Sequence, residues 1–120
     1  MTWTYRQSTG ELSREGNLVA VGYSGNGDGR NNPFMQNVPD VGPIPAGRWV
    51  IGPWYDDPGH LGPCVMHLDP VPGTETFGRS AFRIHGDNAE HDASEGCVIL
   101  GPNMRQNIAT SGDTDFLVIS

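Results

Sequence analysis

The hydrophobic positions fall in short runs separated by turn residues. Near the start of the chain, Trp3 and Tyr5 alternate with polar residues, Leu12 follows a Thr-Gly turn, and an apolar run occupies residues 18–21 after the turn at residues 15–17. Short alternating runs bounded by Gly, Asn and Asp are typical of β-strands. The first part of the chain therefore predicts a hairpin or a meander.

Later runs predict further strands. They cover residues 48–51, 65–68, 81–85, 98–100 and 116–119. Within the run at 81–85, Phe82 and Ile84 lie on one face and Arg83 and His85 on the other, because side chains alternate along a strand. This pattern places His85 at the end of its strand. The last run does not alternate, which predicts a central, buried strand.

Two loops and one helix complete the predicted elements. The glycine-rich residues 24–33 lack the Lys-Ser/Thr of a phosphate-binding loop, so they predict a plain loop. The Pro/Gly-rich residues 52–62 predict a second connection. Residues 102–109 predict one short helix with Pro102 in its first turn and Gly112 beyond its end. We predict a single, mainly β domain over residues 1–120, with one short helix.

Composition and charge narrow the possible partners. The 120 residues suit one domain, and 14 acidic residues against 7 arginines, with no lysine, give a net charge of −7. An acidic chain without a basic stripe is an improbable partner for nucleic acid. No apolar run approaches the ~20 residues that span a bilayer. The N-terminus lacks the charged start and apolar core of a secretory signal.

One segment carries most of the candidate chemistry. His85-Gly86-Asp87 is followed, twelve positions after the histidine, by Cys97 in the sequence Ser94-Glu95-Gly96-Cys97. A neighbouring imidazole is the simplest means of raising the thiolate fraction of a cysteine at neutral pH. With only two cysteines in the chain, at least one free thiol is expected. Cys64 lacks a similar context and is interpreted as a packed thiol.

The pattern of His85-Gly86, a loop and Ser94-x-Gly96-Cys97-Val98 resembles the signature of the YkuD-type L,D-transpeptidase family. Residues 42–49 are similar to that family's entry to a core strand. The closest resemblance is to small L,D-transpeptidase-like effectors that bacteria inject into rivals by type VI secretion. It extends over residues 3–12, 22–25, 37–45, 77–80 and 85–87.

The resemblance implies a fold, an activity and a setting. The fold would be a YkuD-like β-sandwich or barrel. The chain would act on peptidoglycan stem tetrapeptides as an L,D-carboxypeptidase, an L,D-transpeptidase or both, without a cofactor or metal. It would be made in the cytoplasm without a signal peptide and act in the periplasm of a target bacterium. A secretion-system component and an immunity protein would be its protein partners.

The resemblance also implies roles for individual residues. Cys97 would be the nucleophile and His85 the general base. Gly96 and Cys97 are candidate N–H donors to an oxyanion, with Gly86 a weaker candidate. Ile99 stands where many family members have arginine, so either Arg79 or Arg83 would contact the carboxylate of the donor peptide, or each is a surface or cross-strand arginine.

Two assignments remain open at this level. Ser94 either positions the reacting groups or holds its own turn. Asp87 either orients His85 or caps the turn that follows, and a backbone carbonyl would orient the imidazole equally well.

Two other functions compete with this interpretation. A zinc-dependent peptidoglycan hydrolase would draw its ligands from the four histidines and nearby aspartates, and would usually need three of them at one ion. A non-catalytic module that binds the cell wall would use Trp3, Trp49, Trp54 and Tyr55, since tryptophans stack on sugars but also pack in small β domains.

Overall fold

A computed structural model describes all residues, Met1–Ser120, as one mixed β-sheet and one α-helix. The elements follow a simple order along the chain. The strands are β1 (Thr2–Arg6), β2 (Glu11–Arg14), β3 (Asn17–Val21), β4 (Tyr23–Ser24), β5 (Gly47–Asp57), β6 (Gly62–Pro70), β7 (Arg83–His85), β8 (Val98–Ile99) and β9 (Asp115–Ile119), and the helix is α1 (Pro102–Ser111). The predicted single, mainly β domain with one short helix is confirmed.

The strand order across the sheet is β3-β2-β1-β9-β5-β6-β7-β8-β4. β1, β2 and β3 form the predicted antiparallel meander. β9 lies in the middle, parallel to β1 and antiparallel to β5. At the other side, β7 and β8 are parallel neighbours. The two ends of the chain therefore meet at the centre of the sheet, while the candidate chemistry lies toward one edge.

The sheet curls so that its two edge strands approach each other. β3 ends at Val21 and β4 begins at Tyr23, so Gly22 alone connects the opposite edges of the sheet. The Gly22 N–H donates to the Gly10 carbonyl at 2.8 Å. A Cβ at Gly22 would lie only 1.9 Å from the Ile99 carbonyl oxygen, so glycine is required for this close approach.

The core fills the inside of the curled sheet. Apolar side chains from almost every strand, together with Ile108 of α1, form one buried cluster. Trp49 and Phe82 meet edge to face, with ring centroids 5.1 Å apart, a favourable aromatic geometry. Phe82 precedes β7 directly, so this contact fixes the entry to the strand that carries His85.

The helix has the predicted start and end. Pro102 occupies the first turn, where its missing N–H costs nothing, and Gly112 ends the helix in the left-handed conformation with φ of 76°. Ile108 and Arg105 are the buried residues of α1. No helix in the structure has the length and apolar character needed to cross a membrane.

Two strand predictions were wrong in detail. Residues 52–62 were expected to form a connection, but β5 continues to Asp57, and only residues 58–61 connect it to β6. The register between β5 and β6 shifts between Ile51 and Trp54, and such irregularities accommodate a proline inside a strand. The last strand is central as predicted, yet its burial alternates between buried and half-buried residues.

Candidate active site

The parallel pair β7 and β8 positions the two candidate reactive residues. Ile84 pairs with Val98, and His85 pairs with Ile99. Cys97 directly precedes β8, so the alternation of side chains places it on the same face as Ile99 and His85. Adjacent parallel strands lie ~4.8 Å apart. The sheet thus brings His85 and Cys97, twelve positions apart in the sequence, to neighbouring strands.

His85 and Cys97 line the same cleft, which has a volume of about 540 Å³. Its walls come from four parts of the chain. The lining residues are Pro39, Asp40, His60, Leu61, Gly78, Arg79, Ser80, Ala81, Phe82, Arg83, His85, Asp92, Ala93, Glu95 and Cys97. The cleft is open on one side, and its size suits a short peptide segment or one amino acid.

The imidazole of His85 is fixed by its own neighbour. His85 is only 3% exposed, and its Nδ1 lies 2.8 Å from the Gly86 carbonyl oxygen. A carbonyl can only accept, so Nδ1 carries the proton and Nε2 is left with its lone pair. Burial lowers the pKa of His85, and the cations Arg105 and Arg83 act in the same direction. The ring is therefore neutral near pH 7 and able to accept a proton.

Cys97 is half-buried, and its sulfur lies against the start of β7. The thiol is 3.8 Å from the Ala81 carbonyl oxygen. Burial raises the pKa of Cys97, while the N–H and charge of Arg83 and the charge of Arg79 oppose that rise. The resting residue is consequently a neutral thiol, which needs a base in order to become a nucleophile.

Ser94 and Gly96 hold the loop before Cys97 rather than facing the cleft. The buried Ser94 Oγ accepts from the N–H groups of Gly25 and Gly96, at 2.8 and 3.1 Å, and donates to the Cys97 carbonyl at 2.6 Å. The Gly96 N–H, predicted as a donor to an oxyanion, is thus already bonded to Ser94. Of the two roles open for Ser94, the structure supports the one that holds the turn.

Ser24 is a residue that the sequence prediction missed. It is fully buried, and its hydroxyl donates to the Gly96 carbonyl and accepts from the Ile44 N–H, both at 2.9 Å. Ser24 thereby links the loop of Cys97 to β4 and to the Pro-rich segment before β5. A serine in a glycine-rich stretch gives no sequence signal for such a role.

Arg79 was predicted to contact a substrate carboxylate, and its surroundings contradict that role. Its terminal nitrogens donate to four backbone carbonyls, those of Gln36, Gly42, Pro43 and Glu95. The guanidinium also lies 5.0 Å from the centre of the Phe82 ring. Arg79 is buried and acts as a clamp between two loops, with its terminal donors already occupied.

Arg83 has the opposite character. It lines the cleft, and its side chain makes neither a hydrogen bond nor an ion pair, with Nε buried and without a partner. Its guanidinium has five N–H donors in a fork that matches a carboxylate. Of the two arginines predicted for a carboxylate, only Arg83 is available to one.

Asp87 and Gly86 lie behind the imidazole. Asp87 accepts from the Tyr23 hydroxyl and the Asn88 N–H and pairs with His91, but it makes no contact with the His85 ring. Burial alone would raise the pKa of Asp87, but these hydrogen bonds outweigh that effect and lower it. Asp87 therefore caps its turn and does not orient the base.

Gly86 supplies the carbonyl that orients His85, so the backbone alternative holds. Gly86 lines a second cavity and is not among the residues that line the cleft. Its weaker candidacy as an oxyanion donor is not supported by that position.

The ligands for a zinc ion are scattered. His60 pairs with Asp57, His91 pairs with Asp87, and His67 stacks on Tyr55. Nowhere in the chain do three or more His, Cys, Asp or Glu side chains come close enough to hold a metal ion. The ligand set expected for a zinc hydrolase is therefore not assembled.

The aromatic side chains do not form a binding face of four residues. Trp3 and Trp49 are buried in the core, which leaves Trp54 exposed and Tyr55 partly exposed on β5. Two of the four residues proposed for wall binding are therefore unavailable on the surface.

Cys64 and Cys97 are both free thiols.

The fold and the cleft together define a small single-domain protein in which the thiol of Cys97, just before β8, and the imidazole of His85, at the end of β7, line one cleft. The chain belongs to the Tlde1 domain family, whose sequence profile matches residues 19–114. This family is a type VI secretion effector family, which supports the expectation of an effector toxin. A search of curated proteins found no significant match.

Proposed function

We propose that the protein is an antibacterial effector that modifies peptidoglycan as a cysteine-nucleophile L,D-transpeptidase or L,D-carboxypeptidase, with a YkuD-like fold. The observation that carries the proposal is that Cys97 and a neutral, backbone-oriented His85 line one cleft. A neutral thiol beside a neutral imidazole is the resting state of a nucleophile activated by a general base.

The reaction begins with the attack of the Cys97 sulfur on the carbonyl that precedes the terminal D-alanine of a stem tetrapeptide. His85 Nε2 accepts the thiol proton as the carbon–sulfur bond forms. It then donates this proton to the leaving amine as the carbon–nitrogen bond breaks, which releases D-alanine. The product is a thioester on Cys97.

The second half of the reaction determines the product. Water attacks the thioester and yields a tripeptide, or the amine of a D-amino acid attacks and yields an exchanged tetrapeptide. In both cases His85 takes the proton of the incoming group and returns it to the sulfur of Cys97. Both reactions use the same residues and differ only in the acceptor.

Two further groups assist in this proposal. The Cys97 N–H is the remaining candidate donor to the oxyanion, since the Gly96 N–H is bonded to Ser94. Arg83 is the candidate contact for a carboxylate of the donor peptide, because its guanidinium lies in the cleft without a partner.

The proposed setting follows from the family. A type VI effector that attacks peptidoglycan would work in the periplasm of the target cell, and its producer would carry an immunity protein. The cleft is the surface where an inhibitory partner would act most directly, because covering it would separate Cys97 from any stem peptide.

The test compares two cysteine substitutions. Cys97→Ala should fold normally and release no D-alanine from purified tetrapeptide muropeptides, as followed by mass spectrometry. Cys64→Ala is the matched control, because Cys64 is also a free, half-buried thiol but does not line the cleft. It should retain full activity. Undiminished release by Cys97→Ala would remove Cys97 from the mechanism.

A further inference from the structure

Arg105 of α1 packs against Gly86, the residue that follows the candidate base at the end of β7. A Cβ at Gly86 would meet Nη1 of Arg105 at 2.8 Å and its central carbon at 3.1 Å, so the guanidinium packs flat against the Gly86 backbone. Gly86 is the residue whose carbonyl accepts from His85 Nδ1. The helix thus reaches the imidazole through a single intervening residue.

The other contacts of Arg105 fix it in place. Nη1 donates to the Leu100 carbonyl at 2.6 Å, and Nη2 lies 3.5 Å from the Pro63 carbonyl oxygen. The Leu100 N–H in turn donates to the His85 carbonyl at 3.1 Å. The buried Arg105 side chain therefore links α1 to the start of β6. It also contacts Gly86 and Leu100, the two residues that hydrogen-bond to His85.

The charge of Arg105 is unusual for its position. The residue is only 6% exposed, makes no ion pair, and has a buried Nε without a partner. Burying a cation without a carboxylate is costly, and only two backbone carbonyls accept hydrogen bonds from this one. A functional reason for keeping this charge is its contact with Gly86, next to the candidate base His85.

We propose that Arg105 is a positioning residue for His85, which holds the Gly86 carbonyl in place and keeps the imidazole in the form that accepts a proton from Cys97. This inference rests on the proposed function, because it takes His85 as the base of the reaction. Arg105 touches no substrate and acts only through Gly86 and through its field.

Groups from several elements act on the pKa of His85. Burial is the main cause of the lowered pKa of His85, and Arg105 of α1, Arg83 of β7 and His60 from the β5–β6 connection lower it further, while the bond to Gly86 raises it. Arg105 is the largest of the charged contributors that lower it. Removing its charge should therefore move the titration of His85 to higher pH.

The experiment reads the imidazole directly in ¹⁵N-labelled protein. Long-range ¹H–¹⁵N spectra report the tautomer and titration of each of the four histidines, and D-alanine release from tetrapeptide is measured in parallel. Arg105→Gln keeps an N–H donor but removes the charge, and Arg105→Lys keeps the charge. Arg30→Met is the matched control, because Arg30 lines the second cavity together with Arg105 and Gly86 but does not pack against Gly86.

We expect Arg105→Gln to raise the midpoint of the His85 titration, to weaken its Nδ1–H tautomer and to reduce D-alanine release about tenfold to a hundredfold, the range for a misplaced catalytic group. Arg105→Lys should titrate close to wild type because the charge is kept, but should also weaken the Nδ1–H tautomer because the flat group on Gly86 is lost. Arg30→Met should leave His85 unchanged. An unaltered His85 titration and tautomer in both Arg105 variants would overturn the proposal, even if activity or thermal stability fell.

The two proposals fail in distinguishable ways. If the wild-type protein releases no D-alanine, the proposed function fails, yet the spectra still show whether Arg105 controls His85. If Arg105→Gln does not fold, Arg105→Lys still decides the positioning role through the tautomer of His85, because a single ammonium replaces the flat group that packs on Gly86. A wild-type tautomer in the lysine variant would then count against that role.

Discussion

The contrast between Arg79 and Arg83 gives the sharpest prediction. Both arginines line one cleft, but Arg79 donates to four carbonyls while Arg83 has no partner. Arg79→Met should therefore destabilise the fold and leave the affinity for substrate largely intact. Arg83→Met should do the reverse.

The magnitude follows from the contacts. A hydrogen bond to a charged donor contributes about 1.5–3 kcal/mol, and a buried carbonyl left without a partner costs about 1–3 kcal/mol. Two of the four bonds of Arg79 are buried, those to Gly42 and Pro43. Allowing for water at the other two carbonyls, we expect Arg79→Met to lower the free energy of unfolding by about 3 to 4 kcal/mol.

Thermal and urea denaturation, followed by circular dichroism, measure this effect. For a domain of this size, 1 kcal/mol corresponds to about 4 °C, so the midpoint of Arg79→Met should fall by about 12 to 16 °C. Arg83→Met should remain within about 2 °C of wild type, since it loses no hydrogen bond.

The activity of the same two variants completes the comparison. Below its melting transition, Arg79→Met should keep the wild-type KM for tetrapeptide, whereas Arg83→Met should raise that KM about tenfold, the value of one charge-assisted contact. An Arg79→Met protein that melts like wild type but binds substrate poorly would refute this reasoning, because Arg79 would then be the substrate contact.

Two further predictions concern the site and its pH dependence. Gly96→Ala should destabilise the fold by about 2 kcal/mol or more, since Gly96 has a φ of 134° and a Cβ there would lie 2.5 Å from Nη2 of Arg79. The control Gly16→Ala has a positive φ of 80° but open space around it, so urea denaturation should show a loss of only about 1 kcal/mol. For pH, the folded pKa of His85 is lowered, so as the pH falls below about 6.5 the unfolded chain binds a proton that the folded chain resists, and stability falls. His85→Gln should reduce this loss between pH 6.5 and 5 in the same assay, and an unchanged slope would show that His85 is not the group responsible.

The fold was predictable where local pattern and burial agree. The meander, the helix with Pro102 and Gly112 at its ends, and the end of β7 at His85 all follow from alternation and turn chemistry. The prediction failed at residues 52–57, where Gly52 and Pro53 break the sequence pattern but lie within an irregular part of β5. Pairing with a long neighbouring strand outweighed the local preference.

The candidate site was predictable in its residue types but not in its supports. Cysteine and histidine beside glycine are visible in the sequence, whereas the burial of an arginine or a serine depends on which carbonyls the tertiary fold brings near. Arg79, Arg105 and Ser24 are all buried and all bind backbone carbonyls. No spacing rule predicts such contacts, because most of these acceptors are distant in the chain, as Gly96 is from Ser24 and Pro43 is from Arg79.

The parallel ladder of β7 and β8 holds the reactive pair, whereas the connection between the two strands contributes Asp92 to the lining of the cleft. Residues 87–92 are exposed and belong to the connection between the two strands. The ladder itself fixes the positions of His85 and Cys97 relative to each other. A change in the length or charge of this connection would alter which molecules enter, yet leave the thiol and the imidazole in register. Selectivity and reactivity would thus depend on different parts of the domain, the first on the exposed connection and the second on the paired strands.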